Sequence, residues 1–291
     1  MKLLLHPAAA ARVQAVTANP GGSVLLYGRE GVGKRSIARE IARQLNCLGC
    51  GHQDCRACRM ILGGNHPDVM AVDLDEKGKI GIERVHQLLH DLQYERYEPT
   101  GQRVVIMKQA HRLTLPAQNS LLKCLEEPPD QTTIILTCQN LQSLLPTIIS
   151  RCRTVHIPRV SDNDLHEFLR SQWSDRAADF QEVIGLSQGA AGMAVTLMND
   201  VQDLERRRQL TVEVKRLFEA GELFERLQIA SAMAAGDQLE DYLAAMTSVS
   251  RQLARQGTHQ GNLGAIESLR QRLTANVSPK TALEALAVEL A

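Results

Sequence analysis

Four short apolar, largely β-branched runs punctuate the first half of the chain: Val24–Tyr27, Val69–Val72, Val104–Met107 and Thr133–Thr137. Each has the length and composition of a strand, and the stretches between them carry helical spacing. Residues 1–160 are therefore expected to form an α/β core, a parallel sheet flanked by helices. After Pro158 the β-branched runs stop. Ser161-Asp162-Asn163-Asp164 has the spacing of a capping box and predicts a helix to about Arg170; a second helical pair is expected around Ala177–Met198, interrupted at Gly189. From about Val201 to Ala291 the pattern is amphipathic helix, ending with Ser278 as a cap and Pro279 opening a helix over Thr281–Leu290. Gln256–Gly264, with glycines at 257, 261 and 264, predicts a loop. The expected organisation is a core at 1–160, a small helical unit resembling a lid at 161–200, and an all-α domain at 201–291.

The first strand runs into Gly28-Arg29-Glu30-Gly31-Val32-Gly33-Lys34-Arg35-Ser36. Gly28, Gly33 and Lys34 stand where a phosphate-binding loop requires them, so that backbone N–H groups and the lysine can hold phosphates. The next position normally supplies a hydroxyl to Mg²⁺. Here it is Arg35, and a guanidinium cannot ligate a cation; Ser36 points about 100° further round the helix. The strand Val104–Met107 should end in the acids that hold Mg²⁺ and orient water, but it ends in Lys108-Gln109-Ala110-His111. The loss of hydroxyl and acids together points to a nucleotide-hydrolysing fold that no longer hydrolyses. Lys34 and the loop backbone could still hold phosphate or ADP weakly; the expectation is a loop without productively bound ATP. His111 reads as a packed polar residue rather than a base, since the acids it would assist are absent.

Cys47, Cys50, Cys55 and Cys58 give C-x₂-C-x₄-C-x₂-C. Two such arms bring four thiolates to the corners of a tetrahedron and leave no open position, so a structural zinc in a knuckle at 47–58 is the favoured reading. Free or redox cysteines, or His52 as a substitute ligand, are the alternatives. A DNA-reading finger is disfavoured because no basic recognition helix follows.

Composition adds limits. The 291 residues carry 33 basic and 33 acidic side chains, so the whole-molecule field gives no case for autonomous nucleic-acid binding. The N-terminal run Leu3–Leu5 is broken by His6 and Pro7 and is too short for a signal-peptide core, and no stretch approaches about 20 apolar residues. Seven cysteines, three of them (Cys124, Cys138 and Cys152) single in apolar surroundings, fit a reducing cytoplasm.

Gly28–Lys34, the cysteine cluster, Leu121-Leu122-Lys123-Cys124-Leu125-Glu126-Glu127-Pro128-Pro129 and Ser150-Arg151-Cys152, in that order, resemble bacterial clamp-loader subunits of the AAA+ class, those of DNA polymerase III, and among them the delta-prime type. The likeness covers 1–160. The gamma/tau motor type shares several of these stretches but has threonine at the position of Arg35, an acidic pair at Lys108-Gln109 and a sensor arginine where Gly192 falls; His66-Pro67-Asp68-Val69 also looks like delta-prime. The resemblance implies a non-hydrolysing subunit that assembles with gamma/tau-type motors and a delta-type subunit to load a sliding clamp on primer-template DNA. It also implies that Arg151 reaches a neighbour's nucleotide site, where a guanidinium neutralises charge spreading over phosphate oxygens, and that the C-terminal helices form part of a collar. The alternative readings are an active AAA+ ATPase of the motor type, and a zinc-stabilised adaptor binding nucleic acid directly. Glu126 and Glu127, at the end of a helix closed by Pro128-Pro129, are given no role.

Overall fold

The four apolar runs become strands and a fifth joins them. The computed structural model describes residues 3–47, 55–98, 101–236, 238–255 and 262–290. Among these, β1 (Gly22–Tyr27), β2 (Val69–Val72), β3 (Arg103–Met107), β4 (Thr132–Cys138) and β5 (Arg153–His156) form one parallel sheet in the order β2-β3-β4-β1-β5. Side chains alternate between its two faces. Leu25, Val105, Met107, Ile134 and Leu136 enter one apolar layer; Val24, Leu26, Val104, Ile106 and Ile135 enter the other. Burial on both faces is why these strands read as unbroken apolar runs.

Helices cover both layers. α1 (Pro7–Ala18), α2 (Lys34–Asn46) and α3 (Arg56–Gly63) lie on the second, with Val13, Ile37, Ile41 and Ile61 buried there. α4 (Ile82–Asp91) and α5 (Leu115–Glu126) cover the first with Val85, Leu88, Leu121 and Leu125. The short α6 (Pro146–Ile149) adds Ile148 to that layer before β5. β1 sits between β4 and β5, so chain order reverses direction around it, and the C-terminal ends of β1 and β4 open where an α/β sheet places its ligand crevice.

The chain continues as α7 (Asp162–Gln172), α8 (Phe180–Ser187), α9 (Ala191–Asn199), α10 (Val201–Glu219), α11 (Leu223–Ala234), α12 (Leu239–Arg255), α13 (Asn262–Thr274) and α14 (Pro279–Glu289). The Ser161 hydroxyl accepts from the Asp164 backbone N–H at 3.1 Å, and Ser278 caps α14 through Thr281 at 3.2 Å. Gln188 and Gly189, with φ of 49° and 78°, break the path between α8 and α9. Contacts divide the chain into two compact units, Met1–Leu165 with Gly189–Met193, and His166–Gln188 with Ala194–Ala291. The second has its own core, including Val214, Leu217, Met246, Leu269, Leu283 and Leu286.

One expectation needs correction. The loop expected over 256–264 lies outside the described residues from 256 to 261, and α13 already begins at Asn262, so Gly264 is helical. Buried Ala265, Ile266 and Leu269 give α13 an apolar face whose packing outweighs the roughly 1 kcal/mol by which glycine disfavours a helix. No helix among the described residues is long and apolar enough to cross a membrane.

Candidate nucleotide loop, strand ends and cysteine cluster

β1 delivers the chain into the loop at Gly28. Its φ is 153°, and a Cβ there would lie 2.3 Å from the Ile157 carbonyl oxygen, so the loop's entry depends on the missing side chain. Gly28→Ala is expected to cost about 2–3 kcal/mol, read as a lower denaturant midpoint at unchanged slope. A wild-type midpoint would mean that β1 and the segment after β5 have room to separate.

Gly33, with φ of 96°, leads into α2 without a side-chain cap, which leaves the first-turn N–H groups facing the loop. Lys34 does not extend over that space. Its ammonium donates to the Gly28 and Arg29 carbonyls at 2.6 and 2.7 Å, and burial lowers its pKa, opposed by Cys138 and Glu30. The start of α9 closes on the same loop: the Met193 N–H donates to the Gly31 carbonyl at 2.7 Å. A Cβ on Gly192 would stand 2.7 Å from the Gly31 oxygen and 2.8 Å from Gly33 Cα and N. In this packing the position that the resemblance compares with a sensor arginine has no space for a side chain. Arg35 is exposed on the first turn of α2.

At the end of β3 the expectation of no available acid needs qualification. The register pairs Val72 with Met107, so the next residues, Asp73 and Lys108, fall side by side, and their carboxylate and ammonium meet at 2.5 Å. The acid that the register brings beside this strand end is thus paired with the lysine standing where an acid would be needed. Gln109 is left-handed (φ 50°) and its N–H donates to Thr137 Oγ1 at 3.1 Å. Among the described residues the buried Nδ1 of His111 has no hydrogen-bond partner; burial lowers the ring's pKa, helped by the cations of Arg112 and Lys34 and opposed by Glu30, which favours the neutral form.

Arg151 follows α6 at the start of the turn into β5. Its Nε donates to Glu126 Oε2 at 2.9 Å, Nη2 stands 2.9 Å from the same oxygen as an ion pair, and Nη1 donates to the Thr147 carbonyl at 3.2 Å. Glu126, unassigned by sequence reasoning, therefore has a specific partner. The pairing is tertiary, and no local pattern announces it.

The cysteine segment joins α2 to α3. Cys47 ends α2, Cys55 precedes α3 and accepts from the Cys58 N–H at 3.4 Å, and Cys58 is buried. Their three sulfurs lie within 4.8 Å of one another. Thiolates around zinc, with Zn–S near 2.3 Å at tetrahedral angles, stand about 3.8 Å apart, so these three fit the ion with modest contraction. Cys50 and His52 lie outside the described residues. Cys138 and Cys152 are unlike this cluster: burial pushes their thiols up to about 11 and about 12.

Residues 12–161 match the family described as "DNA polymerase III, delta subunit". The chain is 35% identical over 189 residues to DNA polymerase III subunit delta′ of Yersinia pestis, covering 60% of this chain and 54% of that protein. It is 32% identical over 201 residues to subunit delta′ of Pseudomonas aeruginosa, covering 66% and 60% respectively. A subunit tau/gamma of Haemophilus influenzae is 32% identical over 177 residues, 58% of this chain and 25% of that protein. The chain thus spans little more than half the length of the delta′ relatives it matches. In fold, the crystal structure of a gamma subunit-related protein from Thermotoga maritima aligns with a TM-score of 0.58 at 18% identity, covering 97% of this chain and 98% of that one. With an α/β AAA+ core and more than half its length matched by the family, the chain belongs to the DNA polymerase III delta-subunit family as a delta-prime-like member.

Proposed function

We propose that this chain is a non-hydrolysing subunit of the DNA polymerase III clamp loader. It assembles with gamma/tau-type motors and a delta-type subunit, in the cytoplasm, and lends Arg151 to a neighbouring motor's ATP site while the complex opens a sliding clamp and places it on primer-template DNA. In this reading Gly28, Gly33 and Lys34 are a vestigial phosphate loop, residues 161–200 a lid and residues 201–291 part of a collar. Cys47, Cys50, Cys55 and Cys58 would hold a structural zinc, which supplies a cross-link between the end of α2 and the start of α3 and no catalysis.

The observation that supports the absence of hydrolysis is that the metal-handling positions hold Arg35, Lys108 and Gln109, none of which can ligate Mg²⁺, while the loop lysine is otherwise engaged. Lys34 is turned onto its own loop, Lys108 is paired with Asp73, and Arg35 stands in place of a hydroxyl. Such a site cannot hold Mg²⁺ or orient a water for attack on a γ-phosphate.

The isolated chain is therefore expected to show no Mg²⁺-dependent ATP hydrolysis above a no-protein control. Arg35→Thr alone should not create any, because Lys108 and Gln109 still stand where the acids are needed and Asp73 is held by Lys108. Turnover that disappears on Lys34→Ala would overturn this reading in favour of a motor-type ATPase. Mixing the chain with tau/gamma-type and delta-type subunits should give one complex whose ATPase responds to clamp and primed DNA; failure to assemble would remove the clamp-loader role.

A further inference from the structure

We infer that Glu126 is a positioning residue for Arg151, holding the guanidinium aimed outward before a partner arrives; this rests on the reading of Arg151 as an arginine supplied in trans. Glu126 occupies the last turn of α5, where the helix dipole disfavours a negative charge. What offsets that disadvantage is a cation from another element. Arg151 lies 25 residues along the chain and reaches α5 from the turn between α6 and β5.

The geometry of the pair leaves the arginine usable. A guanidinium has five N–H donors. Nε donates to Glu126 Oε2 with Nη2 close to the same oxygen, and Nη1 takes the Thr147 carbonyl, so the carboxylate holds the side edge of the group and, among the described residues, one N–H of Nη1 and the pair on Nη2 have no hydrogen-bond acceptor. Two anchors on separate helices fix a side chain that would otherwise sample many rotamers, and the ordering cost is met before assembly.

The opposite role, a latch withholding Arg151, fits the exposure poorly. The two side chains are 31% and 58% exposed, and ion pairs that open to water are weak. A polyphosphate offers a guanidinium two charge-assisted bonds and would displace such a latch readily. The pair is strong enough to bias a rotamer and too weak to compete with phosphate.

The test uses the assembled complex with tau/gamma-type and delta-type subunits, measuring kcat and KM for ATP with Glu126→Ala, Glu126→Gln, Arg151→Ala and the double variant Glu126→Ala/Arg151→Ala. Glu126→Ala should lower the Arg151-dependent part of kcat about two- to fivefold with little change in KM. Glu126→Gln keeps an acceptor oxygen for Nε–H and should recover most of that loss. On the Arg151→Ala background, Glu126→Ala should do nothing more, because its whole effect passes through the arginine. Wild-type or raised kcat in Glu126→Ala, beside a reduced kcat in Arg151→Ala, overturns the positioning role alone. Additive losses in the double variant overturn it too, since Glu126 would then act elsewhere. If Arg151→Ala itself has wild-type kcat, the trans reading fails and the positioning role falls with it.

Discussion

Arg151→Ala should leave this chain folded and assembled while slowing ATP hydrolysis by the complex it joins. The side chain takes no part in either apolar layer of the core, and its ion pair with Glu126 is solvent-accessible, so its removal should cost the fold no more than about 1 kcal/mol. At a nucleotide site the same guanidinium is worth far more. An arginine supplied in trans to a phosphoryl transfer can contribute about 10³-fold or more, because it meets charge that develops on the transferring oxygens in a site from which water is excluded. One subunit would complete one site among several, so total ATPase should fall partially. Clamp loading should fall further if the sites act in concert. Arg151→Lys should not rescue either activity, since one ammonium cannot hold Glu126 and the Thr147 carbonyl and still present a planar fork outward. A complex containing Arg151→Ala with wild-type ATPase and clamp loading would leave this chain a passive scaffold.

How much of this was legible in the sequence depended on whether the signal was local. β1, β3 and β4 were readable because a strand buried on both faces must be apolar at almost every position. β5 was not. Of its four residues only Val155 is buried, while Arg153, Thr154 and His156 face solvent at the sheet edge beside β1, so neither a continuous run nor a strict alternation marks it. The caps at Ser161 and Ser278 were readable for the same reason as the central strands: donor and acceptor lie within three residues.

The candidate site shows the same divide. The positions of Gly28, Gly33, Lys34 and Arg35 were visible as a motif, but what Lys34 touches was not. Its turn onto the Gly28 and Arg29 carbonyls depends on the path of the loop, which the seating of Gly192 against Gly31 and Gly33 helps to set. Asp73 carries no sequence signal because its meeting with Lys108 needs the neighbour relation of β2 and β3 and their register, neither of which a single strand reveals. Glu126 is legible from the sequence only as an acid at a helix end, where the dipole disfavours it. The compensating cation lies 25 residues away. In each case the residue type was legible and the partner was not.

Reduced protein purified without chelator is expected to carry one zinc per chain, and Cys55→Ala should abolish it. In the metal-free arrangement burial, with hydrogen bonds to Cys55 and Cys47, pushes the Cys58 thiol up to about 12, so this group is protonated at pH 7. A thiolate must form for the metal to bind, so metal entry expels at least that proton; affinity should rise with pH, by about tenfold per unit for each proton released. Structural zinc in small peptides is worth about 10–16 kcal/mol, but here most of the chain folds around the sheet, so the loss should be felt locally. Hydrogen exchange in α3 should accelerate roughly 10²-fold or more while β1, β3 and β4 stay protected, because their burial does not involve the cysteines. Part of that loosening comes from the Cys55 sulfur that caps α3, a contribution of about 1 kcal/mol. Cys55→Ser separates the two effects: a hydroxyl can cap the helix but is a poor zinc ligand, so this variant should also lose the metal and should protect α3 only slightly better than alanine. Substoichiometric zinc in the wild-type chain, or retention of a full equivalent by Cys55→Ser, would show that these thiols do not form a metal site. Global unfolding of either variant would instead show that the junction of α2 and α3, through Ile41 and Ile61, supports the second apolar layer as a whole.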